Sequence, residues 1–289
     1  MDNDIASEKE KFRLLSNSSE FENRSFLFWG FDRGNIKRTS LYKEFLKNKK
    51  ELSFSYGNKV FVIKNELLTQ THKDVLEALM MLCNISSDVE HVVSHTAVLK
   101  VLGKNSKNVN WLDFILEELG NVNFRFFIKN EKGDNVKANG FKILDTVGID
   151  SETNFIGFTF SRSFLALYEQ GKVFNYSKYT PFIANLDHDI SKQVVRYLLT
   201  YDNLQINIRK LLTIKLGLLN VVSRSVIYNY IAFLKEEDLT MFGIWVDGEN
   251  ICISRSKEVS FFDGVRVDKL KGTKEVVIKQ STLPFFNLD

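Results

Sequence analysis

One ordering of elements occurs twice along this chain, and a repeat of that kind restricts the fold more than any single motif. In the first copy, THKDVLEALMMLC (71–83) carries Val75, Leu76, Leu79, Met80 and Leu82 at helical spacing on one broad face. HVVSHT (91–96) is short and β-branched, the composition of a strand. AVLKVLGK (97–104) predicts a brief helix closed by Gly103. VNWLDFILEELG (109–120) predicts a longer one, with Asn108 as N-cap and Gly120 as stop. Three aromatic and β-branched runs follow, NFRFFIK, GFKILDTVG and NFIGFTF; the turn-forming EKGDN and IDSET between them predict a strand meander.

After a helix near 163–170 and a Tyr-rich connection containing Pro181, the order starts again. ISKQVVRYLLTY (190–201) predicts a helix capped by Asp189, INIRKLLTIKLG (206–217) a short helix stopped by Gly217, and SRSVIYNYIAFLK (223–235) a longer helix capped by Ser223. FGIWV and ICISR flank the turn-rich DGEN and predict a hairpin. A second hairpin, VSFF-DG-VRV, and the run EVVIK form a C-terminal extension. The expected organisation is a flexible acidic tail (1–23), a first domain (24–180) and a second domain (181–289).

Three helices and a hairpin are the winged-helix variant of the helix-turn-helix, so the expected fold class is α+β with two tandem winged-helix domains. The third helix of such a unit fits a major groove about 12 Å wide, while the hairpin and helix N-termini hold flanking phosphates. In 223–235, Ile227, Tyr230, Ile231 and Leu234 share the face that must turn inward. Arg224, Ser225, Tyr228, Asn229, Ala232 and Lys235 then face outward, with Ser223 at the entry and no acid before Glu236. Arg pairs bidentately with guanine and Asn with adenine, so this face suits base edges, although a solvated helix surface would carry similar residues. Arg209, Lys210 and Lys215, with Arg255 and Lys257 beyond the hairpin, are candidate phosphate holders. The equivalent helix of the first unit exposes Asn110, Asp113 and Glu117 and is basic only at its entry, through Lys104 and Lys107. It is expected to touch phosphates through Asn108, Asn110 and those lysines, or to face protein.

Charge and composition bound the alternatives. With 44% hydrophobic residues, 25 Phe, 9 Tyr and 3 Trp, the 289-residue chain cannot be disordered in bulk, and two cysteines, Cys83 and Cys252, exclude a disulfide scaffold. No run approaches the ~18 apolar residues of a membrane span, and the polar start MDNDIASEKEK is unlike a signal peptide, so a bacterial cytoplasmic protein without membrane contact is expected. The net charge is only +3, but residues 24–60 carry nine basic groups against three acidic ones. Interleaved with Phe26, Phe28, Trp29, Phe31, Tyr42 and Phe45, this stretch reads as a basic aromatic arm that could hold phosphates or bases, or as a solvated arm.

Enzymatic readings find no support. His72, His91, His95 and His188 include no pair separated by one residue, as a metal-dependent nickase would need. His91 and His95 would stand about 13 Å apart in a strand at ~3.3 Å per residue. Asp187-His188-Asp189 sits at a helix start, where capping is the simpler account. P-loop, G-x-S-x-G, G-x-G-x-x-G and C-x-x-C patterns are all missing, so no cofactor, metal or catalysis is expected.

The runs NRSFLFWGFDRGNIKR, LTQTHKDVLEALMML, NWLDFILEELGNVNF and YTPFIANLDHDISKQVVRYLL, across residues 24–257, resemble the iteron-binding replication initiators of bacterial plasmids, the RepE-like and TrfA-like proteins. The resemblance implies a protein that binds direct repeats in an origin as double-stranded DNA, promotes opening of an AT-rich segment and helps recruit a host initiator and replicative helicase. It also implies a homodimer formed through the first domain and repression of the protein's own promoter. A winged-helix transcriptional regulator and a winged-helix protein-docking module remain alternatives from the residues alone.

Overall fold

The computed structural model describes residues 18–24, 27–31, 33–56, 59–83, 90–129, 135–150, 153–165 and 173–254. An N-terminal segment comes first: β1 (Ser18–Ser19), α1 (Glu20–Arg24), β2 (Phe28–Trp29), α2 (Arg33–Ile36), α3 (Ser40–Lys47), the hairpin β3 (Glu51–Tyr56) and β4 (Lys59–Lys64), and β5 (Leu68–Thr69). The first unit is α4 (Gln70–Leu82), β6 (His91–Ser94), α5 (His95–Val101), α6 (Val109–Asn121), β7 (Asn123–Lys129), β8 (Asn135–Phe141), β9 (Leu144–Asp150) and β10 (Phe155–Phe160). After β11 (Val173–Phe174) and α7 (Thr180–Ala184), the second unit is α8 (Asp189–Leu198), β12 (Asn203–Asn207), α9 (Ile208–Lys210), α10 (Arg224–Glu236), β13 (Ile244–Asp247) and β14 (Asn250–Ser254). The class is α+β.

Both units run helix, strand, helix, helix, hairpin, and their antiparallel sheets have the same order. In the first, β10 lies between β6 and β9; in the second, β14 lies between β12 and β13. The first unit differs by an insertion: β7 and β8 leave the helical core and join β4 and β3 in a four-stranded sheet. GFKILDTVG, expected as one strand, therefore divides. Phe141 ends β8 in one sheet and Leu144 begins β9 in the other, because the buried Ile143 must turn the chain between two layers.

Residues 24–60 are not an extended arm. Phe28, Trp29, Phe31 and Phe45 are buried, Tyr42 is half-buried, and β3–β4 is a regular sheet hairpin, so these aromatics supply core and offer no platform for bases. Phe26 lies outside the described residues. The end of the expected tail is also ordered: Ser18 and Ser19 pair with Phe174 and Val173 in β11, and Glu22 is buried. In the second unit, 206–217 is not one α-helix. Asn203–Asn207 alternates half-buried Leu204 and Ile206 with exposed polar residues as a strand, and α9 continues as a π-helical turn over Leu211–Lys215. Gly217 ends it in the left-handed conformation (φ 67°), as glycine permits at no steric cost. Helix 162–165 begins as expected; its continuation lies outside the described residues. So do Arg255, Lys257, the second hairpin and the EVVIK run.

Three cap assignments change. α6 is entered from a turn, so the Asn108 side chain donates to the Asn105 carbonyl (3.0 Å) instead of capping the helix. His188 holds the extended position before α8, and Asp189 lies inside the first turn, paired with Lys192 at 3.3 Å. Gly120 is helical, and α6 runs on to Asn121.

The two units share one hydrophobic core, continuous from Leu27 to Ile253. At its centre α4 of the first unit meets α8 of the second across a buried polar cluster. Arg196, only 2% exposed, donates through Nη1 to Gln70 Oε1 (2.6 Å), through Nη2 to Asp74 Oδ1 (2.7 Å) and Glu77 Oε2 (2.7 Å), and through Nε to Glu77 Oε1 (3.0 Å). Lys192 pairs with Asp74 (2.8 Å), Lys73 with Glu22 (2.5 Å), and the Tyr176 hydroxyl donates to Glu77 Oε1 (2.7 Å). Three cations, Lys73, Lys192 and Arg196, thus meet four carboxylates, Glu22, Asp74, Glu77 and Asp189. Gln70 also donates to the Phe28 carbonyl (2.9 Å), tying the N-terminal segment to the same cluster. That segment lies close against α8: a Cβ on Gly30 would come within 2.3 Å of Gln193 Oε1 and 3.0 Å of Ile190 Cδ1. Arg24 donates to the Thr200 hydroxyl (2.7 Å) and carbonyl (3.1 Å) and lies over the Tyr201 ring.

Burial and the neighbouring Glu77 charge hold the Tyr176 hydroxyl well above its usual pKa, and burial pushes the Cys83 thiol up to about 12. Both groups stay protonated in the folded state while the unfolded state ionises at ordinary values. Their contribution to stability is therefore complete below those ordinary values and declines as pH rises past about 9 to 10. No helix among the described residues is long and apolar enough to cross a membrane.

Removing Arg196 strands Asp74 and Glu77 without their cation. Arg196→Ala should cost about 3–5 kcal/mol in urea unfolding, and Arg196→Lys should recover only part of this because it lacks the fork that reaches three partners. In a pH series of unfolding free energies, Tyr176→Phe should flatten the alkaline decline relative to wild type.

Candidate nucleic-acid interface

Helix α10 is divided cleanly between its faces. Ile227, Ile231 and Leu234 are buried and Tyr230 is half-buried, whereas Arg224, Ser225, Tyr228, Asn229, Ala232 and Lys235 are exposed. A 3.6-residue period places these two sets on opposite sides, so burial of one presents the other. Ser223 caps the helix in extended conformation; its Oγ accepts from the Val226 N–H and lies 2.8 Å from Ser225 Oγ. The inward face is held at its far end by Phe233, whose ring stacks on His188 at 3.8 Å between centroids.

The preceding helix joins this surface. Arg209 places its guanidinium 4.5 Å from the centroid of the Tyr228 ring, and Tyr228 is 57% exposed, so a cation and an aromatic ring stand together on the open side. The π-helical turn buries Leu211 and Leu212 and leaves Ile214 and Lys215 exposed. Lys210 is exposed at the α9 end. Among the described residues, no carboxylate pairs with Arg224, Lys210 or Lys215.

Lys235 is placed differently from the rest of its face. Its ammonium donates to Glu249 Oε1 (2.8 Å) in the β13–β14 turn, so it braces that hairpin against α10. The same contact, with a smaller effect from Arg209, holds the Glu249 carboxyl below the usual range. The Glu249 carbonyl accepts from the Ile208 N–H (2.9 Å), which ties that turn to the start of α9. No feature of the sequence indicated this pairing, since the two residues are fourteen positions apart on different elements.

In the first unit, Lys104 lies over the Trp111 ring (4.7 Å), Lys107 and Asn110 are exposed, and Asn108 is half-buried. The exposed face of α6 also carries Phe114 and Glu117. Among the described residues, no hydrogen bond or ion pair joins this group to the set on α9 and α10.

All four histidines have structural surroundings. His72 accepts from the Thr69 N–H through Nδ1 (3.0 Å), which leaves its Nε2 to donate to Glu118 (2.9 Å). His91 packs on Phe158 and Phe160, and His95 Nε2 lies 2.7 Å from Asp113. No group of three His, Cys, Asp or Glu side chains converges as a metal site would require among the described residues.

No protein-family model matches the sequence, and no curated protein matches it. Among solved structures, the crystal structure of RctB domains 2–3 aligns with a TM-score of 0.50 and 14% identity over 73% of this chain and 93% of that one. A selenomethionine derivative of domains 2 and 3 of RctB aligns with a TM-score of 0.47 and 13% identity over 70% and 83% of the two chains. The WH1 domain of MSBI1.176, a replication protein isolated from a multiple sclerosis patient, aligns with a TM-score of 0.27 and 14% identity over 35% of this chain and 76% of that one. The likeness to RctB domains 2–3 is one of fold.

Ser223→Ala removes the acceptor at the start of α10 and should cost about 1 kcal/mol, read as a fall in thermal midpoint, with the fold retained.

Proposed function

We propose that this chain is a DNA-binding replication initiator of the plasmid type, built from two tandem winged-helix domains, with α10 lying in the major groove of double-stranded DNA. The observation that carries the proposal is the outward face of α10. Arg224, Ser225, Tyr228 and Asn229 are all exposed, with no acidic residue in α10 before Glu236, and backed by a buried face that fixes their orientation. Arg and Asn at the first turns of such a helix supply bidentate contacts to guanine and adenine, and Arg209, Lys210 and Lys215 supply phosphate contacts beside them. The repeated order of elements, common to both sheets, supports the tandem arrangement.

The resemblance to iteron-binding initiators, carried mainly by the order of elements, favours direct repeats as the target, with origin opening, recruitment of a host initiator and helicase, and repression of the protein's own promoter as consequences. The first unit has the weaker base-reading helix. Exposed Phe114 beside Glu117 on α6 favours a protein-facing role there, such as a homodimer contact. The protein is read as a bacterial cytoplasmic one, non-catalytic and without a cofactor.

Selection from a random duplex library, followed by gel-shift titration on the enriched sequence, tests the reading. Sequence-selective binding that weakens steeply with salt supports it, and the absence of duplex binding overturns it. Arg224→Ala and Asn229→Ala should each lose about 1–3 kcal/mol on the selected site and little on mixed sequence, whereas Lys215→Ala should weaken both alike. Permanganate footprinting of origin DNA then separates an initiator, which melts its target, from a regulator, which leaves it paired.

A further inference from the structure

The segment before α3 belongs to the N-terminal part of the chain, yet it rests against the entry to the recognition helix. The Ser40 hydroxyl, at the first residue of α3, donates to the Val221 carbonyl at 3.1 Å. Val221 is two residues before Ser223, the cap of α10. Two peptide steps also separate Ser40 from Arg38, and at 3.8 Å per step each of these spans is at most about 7.6 Å of chain. With the hydrogen-bonded link between them, Arg38 and Ser223 are therefore at most about 23 Å apart, less than the ~34 Å of one helical turn of duplex.

The chemistry of this segment matches its position. Residues 33–43, RGNIKRTSLYK, contain Arg33, Lys37, Arg38 and Lys43 and no acid. The turn is hydrogen-bonded: the Arg38 N–H donates to the Asn35 carbonyl, the Thr39 N–H to the Ile36 carbonyl, and the Thr39 hydroxyl to the same Ile36 carbonyl. Thr39 caps α3, whose Leu41 and Phe45 anchor it in the core. Lys37, Arg38 and Lys43 are exposed, and among the described residues no carboxylate pairs with Lys37 or Arg38. Glu44 is the nearest acid in sequence on α3. Exposed basic side chains that pair with no carboxylate break no ion pair on meeting an anion, which leaves them available for a charge-assisted phosphate contact.

We infer that Lys37 and Arg38 form a phosphate-binding clamp beside α10, gripping the backbone of the duplex that α10 reads. This inference rests on the reading of α10 as a groove-binding helix and extends the DNA surface to a segment outside the second unit. The contact is to phosphate, so it adds affinity without sequence preference.

The test uses the full chain and a fluorescein-labelled 30-base-pair mixed-sequence duplex, with anisotropy titrations between 50 and 200 mM salt. Each neutralised phosphate contributes about 0.9 to the slope of log K against log salt. Lys37→Gln with Arg38→Gln should lower that slope by about 2, so that the fourfold change in salt costs the variant roughly tenfold less affinity than it costs wild type. Lys215→Gln, scored in parallel, reports on the second-unit surface alone. If Lys215→Gln lowers the slope and the double variant does not, the clamp is refuted while the DNA reading stands. If wild type binds no duplex, the DNA reading itself fails, and the clamp with it. Both substituted residues are exposed, so an unchanged thermal midpoint confirms that the variant is folded.

Discussion

A buried guanidinium holds this molecule in one shape. Arg196 on α8 is surrounded by Gln70, Asp74 and Glu77 on α4, and its planar fork can satisfy all three only when the two helices cross in one relation. A small rotation or slip would leave buried charges unmatched at a cost of several kcal/mol each. Such a cluster adds little or no net stability over a well-packed apolar replacement, but a misaligned packing that leaves one of its charges unmatched is strongly disfavoured. Lys192, Lys73, Glu22 and Tyr176 extend the same balance of charge toward the N-terminal segment.

This has a direct bearing on how two DNA-docking units would act together. On a flexible link, their joint affinity would follow from effective concentration and the length of the link. Here the core is continuous and α4 meets α8 directly, so the separation of α6 and α10 is set by packing. The spacing between α6 and α10 then becomes a property of the folded state. The N-terminal segment contributes to the same arrangement: Gly30 lets it approach α8, Arg24 grips the end of that helix, and Ser40 reaches the turn before α10.

The candidate surface was legible in sequence where it depended on a helical period. Ile227, Ile231 and Leu234 mark the inward side of α10 whatever the helix packs against, so the outward set follows from spacing alone. Lys235 was read with that set, yet its partner Glu249 arrives from the hairpin and occupies it. Asn108 and Asp189 have capping chemistry, but Asn108 holds the cap position with its side chain turned to the Asn105 carbonyl, and His188 takes the cap position ahead of Asp189. Strand β12 left a signal in the alternation of NLQIN, which the adjoining LLTI run obscured by suggesting that a helix had already begun.

By itself, the sequence determined the repeated order of elements, the position of each long helix and which side of α10 turns inward, because these follow from local periodicity and caps. Only the tertiary structure decided the fate of the aromatics between 24 and 60 and of the charged residues on α4 and α8. An aromatic beside basic groups suits a nucleic-acid platform or a core equally well, and an Arg about two turns from the one acid in its own helix, Asp189, shows no partner in a linear reading. Those roles were settled by contacts more than 100 residues apart, such as Arg196 with Gln70, Asp74 and Glu77, which arise when the two units close on one another.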